Sequence, residues 1–316
     1  MQNAHHADNT KYVYSSGVLA YLRFCIFFGL AHLPVEDATL AGFVAFQSCS
    51  CGYGSLKVYL YGIRDWSMKQ GHPFVAWSLR YQVFSAMMGI KRLFGAEQAK
   101  KLAVSPELLL AMVGLLHLTE INDIVMRAAM LVAFFGMFRK DNISVAKAAA
   151  FNPRANLTRG DVFVRGSTVW VRVGHSKVNQ FGVRFHWVPL IAIPGSPLCP
   201  VTAVKAVLAL CPGAPSDSPM FTWRTGTSTK PMTHSNFVGA FKKLVKAAGL
   251  EWKQYSGHSF RRGGATFAFN LGVNPELIQY LGDWASDAYK RYQEMSLKMR
   301  LSLPQVMAAA VTNGLA

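Results

Sequence analysis

Gly257-His258-Ser259-Phe260-Arg261-Arg262-Gly263-Gly264, followed by Leu281-Gly282-Asp283-Trp284 and then Tyr292, brings an imidazole, two guanidinium groups and a phenol into one short stretch of chain. Arginine presents a planar fork of donors that matches phosphate oxygens in pairs, and it stays charged at any working pH. A phenol can carry a phosphoryl group through its oxygen. With an ordinary pKa of about 10 it is mostly protonated at neutral pH, so it needs a base or neighbouring cations before it attacks phosphorus. His258, Arg261 and Arg262 are the candidates for that help, and the chemistry they point to is the grip and attack of one phosphodiester. Taken alone, the same residues also describe a surface helix that begins near His258 and uses a glycine pair for close packing.

Two upstream segments complete the pattern: Phe134-Phe135-Gly136-Met137-Phe138-Arg139-Lys140-Asp141-Asn142 and His175-Ser176-Lys177-Val178-Asn179-Gln180-Phe181-Gly182. In this order and spacing the set resembles the catalytic domain of the tyrosine recombinase (phage-type integrase) family. The Ser-Lys-x-x-Gln-Phe-Gly and Gly-Asp-Trp-x-Ser-Asp-Ala-Tyr forms resemble its eukaryotic, Crypton-like branch. The resemblance is specific from Phe134 to Tyr292 and weak before that.

The resemblance implies a set of roles. Arg139 and Arg261 would clamp the non-bridging oxygens of the phosphate and stabilise a pentavalent transition state, where preorganised cations in a water-poor site act most strongly. Lys177 would protonate the leaving 5′ oxygen as general acid, and His258 would hydrogen-bond the phosphate and take the phenol proton. Tyr292 would attack to give a 3′-phosphotyrosyl bond, which a second DNA end can reverse without ATP. The scheme needs no cofactor and no metal. In much of the family the nucleophile lies nine residues beyond the residue that follows the Leu-Gly pair, which from Asp283 reaches Tyr292. Tyr289 is then a packing aromatic. Two positions depart from the family pattern. Asp283 stands where many relatives carry a histidine or tryptophan donor, and an ionised aspartate cannot donate to phosphate; Trp284 is expected to supply the donor instead. Asn142 stands where many relatives have an acid after the first arginine.

The elements that position these groups form a mainly α chain with a small β-sheet, an α+β fold. Residues 1–104 read as four helices, over Tyr12 to Leu30, Val35 to Gln47, Ser55 to Gln70 and Trp77 to Phe94, and resemble the helical core-binding domain of the family. In it Lys57, Arg64, Lys91 and Arg92 are candidate DNA-phosphate contacts, although solvated charge is the commoner fate of any one of them. Ala96 to Ser105 reads as a linker, and residues 105–316 form the catalytic domain. There, the apolar runs Leu108 to Leu118 and Ala128 to Phe138 predict buried helices, too short to cross a bilayer. Thr168 to Val173 and Val183 to Leu190 predict a hairpin whose connection carries Lys177, with a preceding strand over Arg159 to Val164. Ser259 to Phe269 predicts a helix whose start faces DNA, and about Pro304 to Ala310 a terminal helix. Lys242 and Lys243 are further candidate DNA contacts, with a solvated helix face the equal alternative, and Arg262 is either structural or a distant phosphate contact.

Composition agrees with a partner that is a polyanion. The 316 residues carry 33 basic and 16 acidic side chains, a formal charge of +17. Ten basic and five acidic residues fall in 1–104, and twenty-three and eleven in 105–316, so both parts are basic, as expected if both line one polyanion. Hydrophobic residues make up 51%, which excludes a mainly disordered chain. Cys25, Cys49, Cys51, Cys199 and Cys211 include no Cys-x-x-Cys pair and are odd in number, which favours reduced thiols over a disulfide frame or zinc site. No secretory signal is expected, and the protein is expected to be intracellular, nuclear if eukaryotic, working on double-stranded DNA as a homo-oligomer, a tetramer in this family. The competing reading is a domesticated DNA-binding protein that kept the fold and lost cleavage.

Overall fold

The computed structural model describes residues 8–95, 100–174, 185–292, 295 and 297–312. The chain divides into two compact units, Met1–Lys100 and Lys101–Ala316.

The first unit is helical: α1 (Asp8–Phe27), α2 (Asp37–Gln47), α3 (Tyr53–Lys69) and α4 (Tyr81–Phe94), with a single 3-10 turn at Trp77–Leu79. Helix α1 packs along α3 and α2 along α4. Leu40, Phe43, Leu56, Leu60, Ile63 and Met87 are fully buried between them, each contributing roughly 1.5–3 kcal/mol through loss of apolar surface from water. The α1–α3 pair crosses backbone to backbone at two glycines. A Cβ on Gly17 would lie 2.7 Å from Tyr59 Cα, and one on Gly62 would lie 2.8 Å from the Tyr14 carbonyl oxygen. The helix expected over Trp77 to Phe94 is interrupted at Arg80. This side chain is buried, donates from Nη1 to the Val35 carbonyl and to Asp37 Oδ1 at 2.9 Å each, and stacks on Phe74. Those bonds hold the extended backbone of Arg80 between the 3-10 turn and α4.

The second unit begins with α5 (Pro106–Gly114), whose start is set by Ser105, accepting from the Leu108 N–H at 3.2 Å, and by proline at the first helical position. Then come α6 (Ile121–Phe135), buried along nearly its whole second half, and the four-residue α7 (Lys140–Ile143). Strands β1 (Val162–Arg165), β2 (Thr168–Val173) and β3 (His186–Ile191) make an antiparallel sheet in that order. Val169, Val171 and Val173 of β2 face the core while Trp170 and Arg172 face away, the period-2 pattern that identified the strand. Helix α8 (Pro200–Ala209) packs on α6 and on this sheet. After it come β4 (Thr222–Thr225) and β5 (Ser228–Pro231), α9 (His234–Ala247), α10 (Ser259–Asn270), α11 (Pro275–Leu281) and α12 (Leu297–Thr312).

Three further elements differ from expectation. Arg159–Asp161 forms a 3-10 turn before β1 because Asp161 Oδ2 accepts from the Thr158 N–H and hydroxyl, closing the chain locally. The β4–β5 hairpin was not anticipated. Its strands are short and polar, and only Gly226, with a positive φ of 58°, marks the turn. Finally, α12 starts at Leu297 and runs through Pro304, where a helix beginning at the proline was expected.

Candidate active site

Arg261 is the centre of the site. It lies in the first turns of α10 and is only 3% exposed. Its Nη1 donates to the Met137 carbonyl, and its guanidinium lies over the Trp284 indole, 3.7 Å from the ring centroid. The glycine pair after it explains how a charged helix face gets so close to α6. A Cβ on Gly264 would overlap the Phe134 carbonyl oxygen, and one on Gly263 would overlap the carbonyl oxygen of Val104. Only glycine lets α10 settle there.

Arg139 stands four residues past the end of α6 and caps the start of α7. Its backbone N–H donates to Asn142 Oδ1 at 3.0 Å, while the Asn142 N–H donates back to the Arg139 carbonyl at 2.9 Å. Asn142, the second departure from the family pattern, therefore fixes the backbone of Arg139. Between α6 and Arg139 the chain turns at Met137, whose φ is +51°, the conformation that delivers its carbonyl to Arg261.

His258 precedes α10. The residue is exposed overall, yet the surrounding protein removes enough solvation to push the imidazole below the ordinary histidine range. Lys140, Arg139 and Arg261 lower it further, while Asp141 opposes them. A neutral imidazole at working pH is what a proton acceptor requires.

Trp284 reaches Arg261 through the end of α11. The Asp283 N–H donates to the Tyr280 carbonyl and the Trp284 N–H to the Gln279 carbonyl, at 3.0 and 3.1 Å, the paired bonds of a Schellman ending. Asp283 takes the left-handed position of that ending, with φ +51°. Trp284 is buried with Met137, Ala265, Ile278 and Tyr289, and a Cβ on Gly282 would overlap its six-membered ring. Tyr289 is 4% exposed and packs 6.2 Å from Trp284 between ring centroids. The Tyr292 backbone closes the 3-10 helix Asp287–Tyr292; its side chain lies outside the described residues.

Lys177 also lies outside the described residues, in the connection of the β2–β3 hairpin. The stem below it is well paired, from Thr168 opposite Ile191 to Val173 opposite His186. Arg172 stiffens it by pairing with Asp161 at 2.9 Å and stacking on Phe185. At the same end His186 is buried and bonds through Nε2 to the Leu281 carbonyl at 2.9 Å, joining the stem to the end of α11.

Of the remaining bases, Arg262 is 6% exposed and its Nη1 donates to the Lys101 carbonyl at 2.8 Å. It ties the segment before α5 to α10, in keeping with the structural one of the two roles read for it. Lys242 is half-buried with its ammonium 4.8 Å from the Trp252 centroid, whereas Lys243 is exposed. In the first unit Lys57 and Arg64 share one face of α3, and exposed Lys91 lies near Tyr53 at the start of that helix. Arg92 is exposed beside it.

Sequence reasoning gave no role to Lys140, Asp141 or His234, which meet beside His258. Lys140 Nζ lies 2.7 Å from Asp141 Oδ1 and 3.1 Å from His234 Nδ1, and His234 Nε2 lies 3.1 Å from the same carboxylate oxygen. Lys140 and Asp141 fall inside the quoted motif; the signal at His234 is the Thr233-x-x-Asn236 capping box that starts α9.

Residues 154–295 match the model of the phage integrase family. The chain is similar, at 24% identity over 273 residues, to an integrase/recombinase XerD homolog of Selenomonas ruminantium, covering 83% of this chain and 74% of the relative. The fold is that of XerH site-specific recombinase in a post-cleavage complex with its difH substrate, at a TM-score of 0.68 and 15% identity over 95% of this chain and 80% of XerH. It is also that of the Tn1549 transposon integrase in complex with transposon right-end DNA, at a TM-score of 0.65 and 14% identity over 97% and 96% of the two chains. A lambda integrase dimer on a core site matches at a TM-score of 0.62 and 15% identity, over 92% and 90%. Among the described residues no helix is long and apolar enough to cross a membrane, and no cluster of histidine, cysteine and acidic side chains could hold a metal ion.

Proposed function

We propose that the protein is a site-specific tyrosine recombinase that cleaves and rejoins duplex DNA through a 3′-phosphotyrosyl bond. The observation that carries this reading is the convergence of Arg261, Trp284 and the Met137 turn, with Arg139 and a pKa-depressed His258 beside them. Arg139 and Arg261 hold the non-bridging oxygens of the scissile phosphate. Tyr292 Oη attacks phosphorus as His258 takes its proton, and the 5′ oxygen leaves with a proton from Lys177; the second strand end reverses the sequence. Trp284 supplies the donor that Asp283 cannot, because the left-handed turn puts the aromatic one place later. That arrangement supports placement in the Crypton-like branch, and with it action in a eukaryotic nucleus.

The first unit is the core-binding domain, with Lys57, Arg64, Lys91 and Arg92 on the phosphate backbone and Lys243 adding a contact from the catalytic domain. Solved relatives include DNA-bound dimers and a lambda integrase tetramer on a Holliday junction. Their assembly supports a homotetramer here.

Covalent trapping tests the reading. The protein is incubated with a library of nicked duplexes that lose a short fragment on cleavage, and a DNA adduct stable to denaturant is sought. The expected adduct disappears in Tyr292→Phe and survives in Tyr289→Phe. Salt-sensitive binding without any adduct would instead indicate a DNA-binding protein that has lost cleavage.

A further inference from the structure

We infer that Lys140, Asp141 and His234 form a hydrogen-bonded clamp that positions His258, making His234 a positioning residue for proton acceptance at the phosphodiester site. The inference deepens the recombinase reading and rests on it for its consequence in DNA cleavage.

The clamp follows from donor and acceptor chemistry. A lysine ammonium only donates, so at 3.1 Å from Lys140 Nζ the Nδ1 of His234 must accept. The ring proton of the neutral imidazole is then on Nε2. It faces Asp141 Oδ1 at 3.1 Å and the Ser144 carbonyl at 3.2 Å, both acceptors. The imidazole edge thus bridges the Lys140–Asp141 ion pair, itself closed at 2.7 Å. His234 comes from α9 and the pair from α7, so the clamp also joins two helices.

Two observations connect it to His258. Gly257, the residue before it, packs against the Lys140 stem so closely that a Cβ would lie 2.9 Å from Lys140 Cδ. Asp141 is the acid whose field raises the proton affinity of His258 against burial and three cations. The carboxylate keeps that field only while it is ionised and held. Its burial favours the neutral acid, but the Lys140 hydrogen bond and charge, with His234 and His258, outweigh this and leave the carboxyl below its ordinary range.

The clamp has a protonation limit. The charged groups facing His234 are Lys140 and Asp141 of α7, with the Ser144 carbonyl; His258 also acts on Asp141, and Arg139 and Arg261 act on His258. Burial, then Lys140, keep the His234 pKa below the usual histidine range, with Asp141 and the carbonyl opposing. Once Nδ1 gains a proton it can no longer accept from Lys140, and the bridge opens.

The test has two arms. In the DNA-free protein, imidazole NMR titration reads the pKa of His258 in the wild type, Asp141→Asn, His234→Ala and His234→Gln. Asp141→Asn and His234→Ala should both lower it, and His234→Gln, whose amide can accept from Lys140 and donate to Asp141, should return it toward the wild type. An unchanged His258 titration across all four proteins overturns the clamp. With a duplex recovered by covalent trapping, His234→Ala should form adduct about tenfold more slowly or worse, the scale expected when a reacting group is misplaced, and His234→Gln should recover most of that rate. The acidic limb of the wild-type pH profile should shift in His234→Gln; an unshifted limb with no loss in His234→Ala overturns the positioning role. If the wild type traps no duplex at all, the recombinase reading fails while the titration still decides the clamp.

Discussion

Asp283 shows why single residues must be read with their backbone. An acid at the position of a phosphate donor looks like damage to an active site. In the fold it is the left-handed residue that ends α11, a conformation that aspartate tolerates better than most side chains. Glycine is the commoner residue in that place. Instead Gly282 is required one place earlier, because the Trp284 ring folds back over it onto Arg261. Asp283→Gly should therefore stabilise the protein by about 0.5–1 kcal/mol, read as a higher urea midpoint, since glycine removes the left-handed strain. In a cleavage assay Trp284→Phe should slow adduct formation more than Asp283→Ala; the reverse order would remove Trp284 as donor. The histidines give a pH prediction. His234 and His258 have folded-state pKa values below the ordinary 6.5, so the unfolded chain binds more protons as pH falls through that value, and stability declines from there toward the folded pKa values. Asp141, depressed from 3.8, contributes above that value and loses its contribution as pH falls through its folded pKa. The thermal midpoint should fall from pH 7 to pH 5, and His234→Gln should flatten part of that slope.

Helices and strands were legible wherever burial sets a period. The all-apolar stretch of α6, the alternating valines of β2 and the four helices of the first unit follow directly from their side chains. Elements governed by a distant partner were not: the break at Arg80 depends on Val35 and Asp37, and β4–β5 has no buried face to write a pattern. Glycines divide the same way. Gly89 lies inside α4 with nothing near the place of a Cβ, so Gly89→Ala should add up to about 1 kcal/mol through helix propensity. Gly62 meets the Tyr14 backbone, which cannot retreat without separating α1 from α3, so Gly62→Ala should cost about 1–3 kcal/mol despite the same propensity gain. Urea denaturation of the two variants should give opposite signs. Sequence alone gives both glycines the same propensity argument, since each lies within a helical run.

At the scale of the whole chain, the formal charge of +17 agrees with a polyanion as partner but does not show which bases would be available to it. Arg262 and Lys57 count equally in that sum. In the fold the first is buried against the Lys101 carbonyl, and the second shares a face of α3 with exposed Arg64. Binding to DNA releases about one condensed counterion for each phosphate neutralised, so the logarithm of affinity falls linearly with the logarithm of salt concentration. Lys57→Ala and Arg64→Ala should each weaken binding to any duplex about equally and reduce that slope by about one. Arg262→Ala should leave the slope unchanged and lower the urea midpoint, because it removes a buried side chain that donates to the Lys101 carbonyl. Binding isotherms at a series of salt concentrations read both effects on one duplex. A slope that responds to Arg262 and ignores Lys57 and Arg64 would mean that α3 does not face the phosphates, and the core-binding role of the first unit would have to be abandoned.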